Sequence, residues 1–294
     1  MIAIAGILLV FACIIIGFLM EKGKLAVLVQ PAELVTIGGA AIGTVLAANP
    51  MHILKKMIGG LLGIIKGSPF SKQRYVDTLK MLFDLFAKSR KEGAIAIEND
   101  VEEPENSPIF SRYPVFLADH HARDFVCDTM RMAITGGVNP FDVDQMMELD
   151  MDVHHHSESQ PNQSLNSVAD ALPGLGIVAA VLGVVVTMGS LGGPPEEIGH
   201  KVAAALVGTF LGILLCYGVV GPLAANMSKT VDEEHSFYAM LRVVLLAFIK
   251  GTSPIMAVEI GRRAIPGHVR PSFAEVEKAC REKVGEPEAV PGAA

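Results

Sequence analysis

The stretch ADALPGLGIVAAVLGVVVTMGSL, residues 169–191, followed by IGHKVAAALVGTFLGILLCYGVVGPLA, residues 198–224, decides what kind of chain this is. From Ala171 to Pro195 there are 25 residues without Asp, Glu, Lys, Arg or His, and from Val202 to Ser228 another 27. A helix needs about 20 residues to cross a bilayer, so both runs are long enough. Pro173, Gly176, Ala180, Gly183 and Thr187 recur at alternating steps of three and four and share one helical face. Ala205, Thr209, Gly212 and Cys216 do the same in the second run. Small side chains let backbones approach where lipid gives no hydrophobic drive for association, and such a face can also line a narrow polar path. Pro173 and Pro222 free backbone carbonyls and bend helices, near ends of the two runs that fall on the same side.

Two further runs precede these. Ile2–Met20 gives 19 residues without a charge or hydroxyl, and Leu34–Met51 gives 18 uncharged ones. The first lacks a basic leader and a small-x-small cleavage site, and it reads as a retained anchor rather than a signal peptide. Composition agrees with a membrane protein: 51% hydrophobic residues, 29 Gly and no Trp, with a mean hydropathy of +0.44. Lys22 and Lys24 lie between runs one and two, and only Lys201 between three and four. The segment 52–170 carries 12 Lys or Arg and the tail after 228 carries 9, so 21 of 24 fall on one side. The positive-inside rule places that side, with both termini, in the cytoplasm of a multi-pass inner-membrane protein.

The expected fold is therefore all-α: transmembrane helices 1 and 2 over 1–51, a helical cytoplasmic loop over 52–170, helices 3 and 4 over 171–228, and a cytoplasmic extension over 229–294. In the loop, RYVDTLKMLFDLFAKSRK (74–91) sets Tyr75, Leu79, Leu82, Phe83 and Phe86 on one helical face. A second helical pattern runs from about Phe116 to Thr135 and stops at Gly136-Gly137, and Asp142–Val153 offers a third. VEEPENSPIF (101–110) reads as turns, and His154–His156 as a solvated loop without metal-ligand spacing. The fourth helix is expected to continue through Tyr238–Phe248 and break at Gly251 and Pro254, with the last two dozen residues disordered.

Several functions are excluded. A net charge of −7 argues against nucleic acid. There is no G-x-x-x-x-G-K-[ST], H-E-x-x-H or G-x-S-x-G, so an ATP-driven transporter or membrane hydrolase has no support. The four cysteines show no C-x-x-C spacing. Glu33 and Asp170 stand at the edges of the runs and His52 just beyond one, with no carboxylate at mid-depth. A chain so built is not expected to carry protons by itself.

The two quoted stretches resemble the paired third and fourth helices of the MotA/TolQ/ExbB ion-channel family. KSRKEGAIAIEND (88–100) and GTSPIMAVEIGRRAIP (251–266) resemble its MotA branch, and the likeness covers about residues 1–266. The resemblance implies a non-enzymatic flagellar stator subunit, a homo-oligomeric ring of five, embedded in membrane lipid around a dimer of a MotB-type, peptidoglycan-anchored partner. The partner would supply the ion-binding Asp, and ion flow would turn the ring against the rotor protein FliG. By position, Pro173 and Pro222 match prolines that couple ion binding to movement, while Thr209 and Ala180, with Gly176 and Asp170 nearby, match the channel. Arg90 and Glu98 match rotor-facing charges, although taken alone they read as two solvated residues. Sodium-driven relatives carry Thr at the position matching Ala180, so the implied coupling ion is H⁺, with no other cofactor. A TolQ- or ExbB-type subunit, energising outer-membrane processes, is the alternative; those resemble a three-span plan, which the fourth run disfavours.

Overall fold

The structure, a computed structural model, describes residues 2–189 and 191–281. Among them there is no strand. The α-helices are α1 Ile2–Met20, α2 Pro31–Ala48, α3 Met51–Lys66, α4 Lys72–Glu92, α5 Glu98–Glu102, α6 Pro114–Leu117, α7 His120–Thr135, α8 Pro140–Met188, α9 Pro195–Leu214, α10 Gly221–Ile249, α11 Pro254–Ala264 and α12 Phe273–Arg281. A π-helical segment, Leu215–Val220, joins α9 to α10. Four helical stretches are long and apolar enough to cross a membrane: α1, α2, α8, and α9 continued through α10. The chain divides into two compact units, Met1–Ser68 with His156–Val231, and Pro69–His155 with Asp232–Ala294.

In the first unit, α1 buries none of its residues and exposes Leu8, Leu9 and Ile16. It ends in a left-handed Lys22 (φ 60°), where the Gly23 and Lys22 N–H groups close back on the carbonyls of Phe18 and Leu19. The second helix starts at Pro31, earlier than the apolar run suggested, because proline suits the first helical position. It stops at Ala48 because Pro50 cannot continue it. Next comes α3, which the sequence reading passed over. Its Ile64 packs with Leu165, Ala224 and Met227 while Lys56 reaches Glu158 at 2.5 Å.

The third apolar run proves to be the second half of a 49-residue helix. Asp142–Val153 is its beginning, and the helix passes through both Pro161 and Pro173. His154–His156 therefore lie in a helix and not in a solvated loop. The run ends at Met188 rather than Pro195, since Gly192 takes φ 104° and Pro194-Pro195 opens the next helix. Glu196 and Glu197 in the first turn of α9 suit its positive dipole end.

The second unit has one apolar core. Tyr75, Leu79, Leu82, Leu85 and Phe86 of α4 meet Phe125, Val126 and Met130 of α7, and Phe237, Leu241 and Val244 of α10. Each such side chain removed from water stabilises the fold by about 1.5–3 kcal/mol. Phe86 stacks on Phe248 with centroids 4.0 Å apart. Ser71 caps α4, accepting from the Arg74 N–H, and Asp119 caps α7, accepting from the Ala122 N–H. The break at Gly251 (φ 84°) and the restart at Pro254 are as the sequence indicates. Part of the tail read as disordered is α12, whose Val276 and Cys280 join the core. The rest of that reading, residues 282–294, lies outside the described residues.

Candidate channel seam and exposed charges

In the first unit α8 and α9 approach each other closely at their glycines. A Cβ on Gly176 would lie 2.9 Å from the Gly208 carbonyl oxygen and 3.1 Å from Gly212 Cα. One on Gly212 would lie 2.6 Å from the Leu172 carbonyl oxygen, and one on Gly183 would lie 2.7 Å from Ala205 Cβ. The two helices thus touch main chain to main chain along Leu172, Gly176 and Gly183 on one side, and Ala205, Gly208 and Gly212 on the other. Such contact is open only to glycine or alanine. The small-residue pattern in the sequence located this seam, but its register is turned slightly. Buried Ala179 faces Gly208, while Ala180 is half-buried beside it. Thr209 is half-buried, with its Cα 3.3 Å from a Cβ at Gly176. Thr187 is buried, and its hydroxyl donates to the Gly183 carbonyl at 2.7 Å. Asp170, two residues from Leu172, is exposed.

The two prolines differ in their surroundings. Pro173 is half-buried inside α8, which remains helical through it. Pro222 is exposed and directly follows the π-helical segment. Without an N–H, Pro222 leaves the Gly218 carbonyl unpaired in an α pattern. The turn before it is widened, and the Gly221 N–H reaches back five residues to the Cys216 carbonyl. A Cβ on Gly221 would be 2.8 Å from that same oxygen, which explains the Gly-Pro pair.

Glu33 is the carboxylate that sequence reading placed at an edge. The structure instead buries it at 8% exposure within α2, packed on α9. The signal was available: it is the one charged residue in α2.

Arg90 and Glu98 both belong to the second unit and both are exposed. Arg90 sits in the last turn of α4 and donates to the Gly251 carbonyl at 3.4 Å; Glu98 opens α5. What holds the intervening turn is Asp100, 2% exposed, which accepts from Lys88 Nζ and from the Ser107 hydroxyl, each at 2.6 Å. Breaking such a buried pair leaves an uncompensated charge and costs about 3 kcal/mol. Sequence reading missed this network because Asp100 looks like any solvated acid. A similar anchor, Glu259, bonds both Arg262 and Arg263, and the Arg262 contact above all holds its carboxyl down at about 2.

Two of the three histidines in the run pack, while His156 is exposed as the solvated reading expected. The His154 ring stacks on His121 with centroids 3.7 Å apart, bonds Glu234 at 3.1 Å and meets Tyr238 edge-on. His155 packs against His235 at 4.8 Å. Burial first, and the His154 ring second, hold the His121 imidazole below its ordinary value. Among the described residues, no group of three or more His, Cys, Asp or Glu is placed to hold a metal ion.

Comparison with known proteins bears on the whole chain. The "Motility protein A N-terminal" family model matches residues 4–93, and "MotA/TolQ/ExbB proton channel family" matches 117–240, the segment containing the seam. Motility protein A of Escherichia coli (strain K12) is 40% identical over 281 residues, covering 96% of this chain and 95% of that protein. The chemotaxis protein LafT of Vibrio parahaemolyticus is 34% identical, covering 95% of this chain and 98% of its own. The fold matches a chain of the C. jejuni MotAB structure with a TM-score of 0.74 at 17% identity, covering 90% and 95% of the two chains. It also matches the flagellar MotAB stator complex from Bacillus subtilis with a TM-score of 0.69 at 20% identity, covering 94% and 98%. The chain belongs to the motility protein A branch of the MotA/TolQ/ExbB proton channel family.

Proposed function

We propose that this chain is the ring subunit of a flagellar stator, which with a MotB-type partner forms a proton channel and turns proton flow into torque on FliG. The observation that carries this reading is the glycine seam between α8 and α9, in the very residues the proton channel model matches. Small residues let the two helices pack with their backbones in contact, the arrangement a narrow path between helices calls for. Five copies around two partner chains, in the bacterial inner membrane with both termini cytoplasmic, give the assembly. The charge bias of the loops supports that orientation, and the exposed apolar faces of α1 and α8 suit lipid and neighbouring subunits. The protein is a channel subunit and not an enzyme. Deleting it should leave flagella that assemble and do not turn. Co-purification of a single-span protein with a peptidoglycan-binding domain checks the partner; its absence would count against the reading.

In this scheme Arg90 and Glu98 meet the rotor. Exposed charges steer encounter and fix register, and like charges forced together cost several kcal/mol. Reversal of either is expected to cut swimming sharply at unchanged membrane levels, with partial recovery from an opposite reversal on the rotor. Normal swimming of the double variant Arg90→Glu, Glu98→Lys would be incompatible with this role.

Pro173 and Pro222 are the proposed coupling positions. Alanine at 222 restores an N–H for the Gly218 carbonyl and favours a regular helix by roughly 3 kcal/mol, removing the need for the π segment. The expected result is complex at normal amounts with much reduced torque. If rotation and complex fall in proportion, the proline only shapes the bundle.

A further inference from the structure

Glu33 is more than nine-tenths buried, and its Oε2 has no hydrogen-bond partner. It is directed at Gly208 of α9. A Cβ there would stand 2.6 Å from Oε2 and 3.2 Å from the carboxyl carbon, so the carboxyl occupies the room that a side chain at 208 would take. The same Cβ would be 3.2 Å from Ala179 of α8, and the Gly208 carbonyl faces Gly176. The acid therefore reaches the α8–α9 seam, one residue along α9 from Thr209. Lys201, seven residues back along α9, pairs with Glu197 at 2.8 Å. On α8 the nearest acid in sequence to the seam, Asp170, is exposed.

An unpaired carboxylate among apolar helices loses its hydration without compensation, a penalty that only its neutral form escapes. Evolution of a purely structural contact would call for no ionisable group here, since an apolar residue fills such a gap without that penalty. At Gly208 a methyl would meet the Glu33 carboxyl first, with Oε2 at 2.6 Å, and Ala179 Cβ at 3.2 Å.

We propose that Glu33 is a proton-binding carboxyl carried by this chain itself, seated at the seam and exchanging its proton during ion passage. The proposal rests on the reading of the seam as a proton channel. On release the Glu33 O–H bond breaks and the proton passes to water, then to the partner's carboxylate. The carboxylate left on Glu33 forms its O–H bond again with a proton taken from water on the entry side. Nothing is oxidised or reduced.

The test uses the full complex in its native membrane and as purified protein. Glu33→Gln keeps the size and neutrality of the acid and removes only the exchangeable proton. It is expected to leave the amount of complex unchanged and to slow rotation at least roughly tenfold, whereas Glu33→Asp retains part of the speed. In the purified complex, the infrared difference between acid and alkaline buffer should contain a carboxylic C=O band that Glu33→Gln removes, a readout independent of rotation. Glu33→Gln rotating at normal speed across external pH would overturn the proposal. So would a loss of complex matching the loss of speed, which would make Glu33 a packing or ion-pairing group, and so would an unchanged infrared difference. If instead the unmodified complex drives no rotation, the channel reading itself fails, and the infrared band, read without rotation, separates that failure from one at Glu33.

Discussion

Replacing Gly212 with valine is expected to abolish rotation by removing the assembled complex from the membrane. The substituent's first atom would stand 2.6 Å from the Leu172 carbonyl oxygen, 2.9 Å from Gly176 Cα and 3.1 Å from Gly176 N. All three are backbone atoms, so no rotamer change relieves the clash and α8 and α9 must separate. Overpacking in a responsive core costs about 1–3 kcal/mol; here the obstacle is main chain, and the cost belongs at the upper end or beyond. Gly174, two residues from Gly176, supplies the control. A Cβ there has nothing within 4 Å, so Gly174→Ala should keep normal levels of complex and gain up to about 1 kcal/mol of helix stability. Quantifying complex in membranes and its thermal stability compares the two. Normal levels with Gly212→Val would mean that the seam is looser than these distances.

The contrast between those glycines also shows what the sequence could reveal. Gly174 and Gly176 share one apolar run, and periodicity alone put Gly176, and Gly212 in the next run, on small-residue faces and left Gly174 off them. What periodicity could not supply was the partner's register. The stripe read as Pro173–Gly176–Ala180–Gly183 meets α9 through Leu172, Gly176, Ala179 and Gly183 instead. A helix face is broad enough to admit either set, and only the second helix chooses. The same limitation hid Glu33: hydropathy sees a charge near a helix start and assigns it to the interface, while its burial depends on a glycine 175 residues later.

Helix existence was easier to read than helix extent. Tyr75, Leu79, Leu82 and Phe86 announced α4 by their spacing, and they are all buried. The 49-residue α8 was not legible as one element, because Pro161, three consecutive histidines and many acids read as an interruption. Tertiary contacts override that local preference: His154 finds His121, Tyr238 and Glu234, and Asp144 and Glu148 find Arg242 at 2.6 and 3.3 Å. Polar residues that would favour a loop when solvated are instead satisfied across a helical interface. Arg90 and Glu98 lie at the other extreme. Their exposure agrees with an ordinary solvated pair as well as with a rotor contact, and only the family resemblance gave them a role.

Swimming speed is expected to stay constant across a sodium series at fixed pH and to fall to zero with a proton uncoupler. A hard monovalent cation stripped of water needs several oxygen ligands close together. The seam offers few from this chain. Ala180 has no hydroxyl, and the Thr187 hydroxyl is committed to the Gly183 carbonyl at 2.7 Å. The seam carbonyls of Leu172 and Gly208 face the glycines of the opposite helix, each within 3 Å of where a Cβ would stand, which leaves no room for an ion. Thr209 alone remains as a free hydroxyl position on the lining face, beside whatever carboxylate the partner brings. A proton asks for less: water and a titrating carboxyl suffice. Ala180→Thr adds one oxygen to the lining face and tests whether one alone is enough. It should leave the uncoupler's effect complete and make speed, at most, weakly responsive to sodium, since Thr187 and the seam carbonyls stay as they are. Speed that tracks sodium in the unmodified protein and survives the uncoupler would show that the ion finds its ligands elsewhere, in the partner chain or a neighbouring subunit.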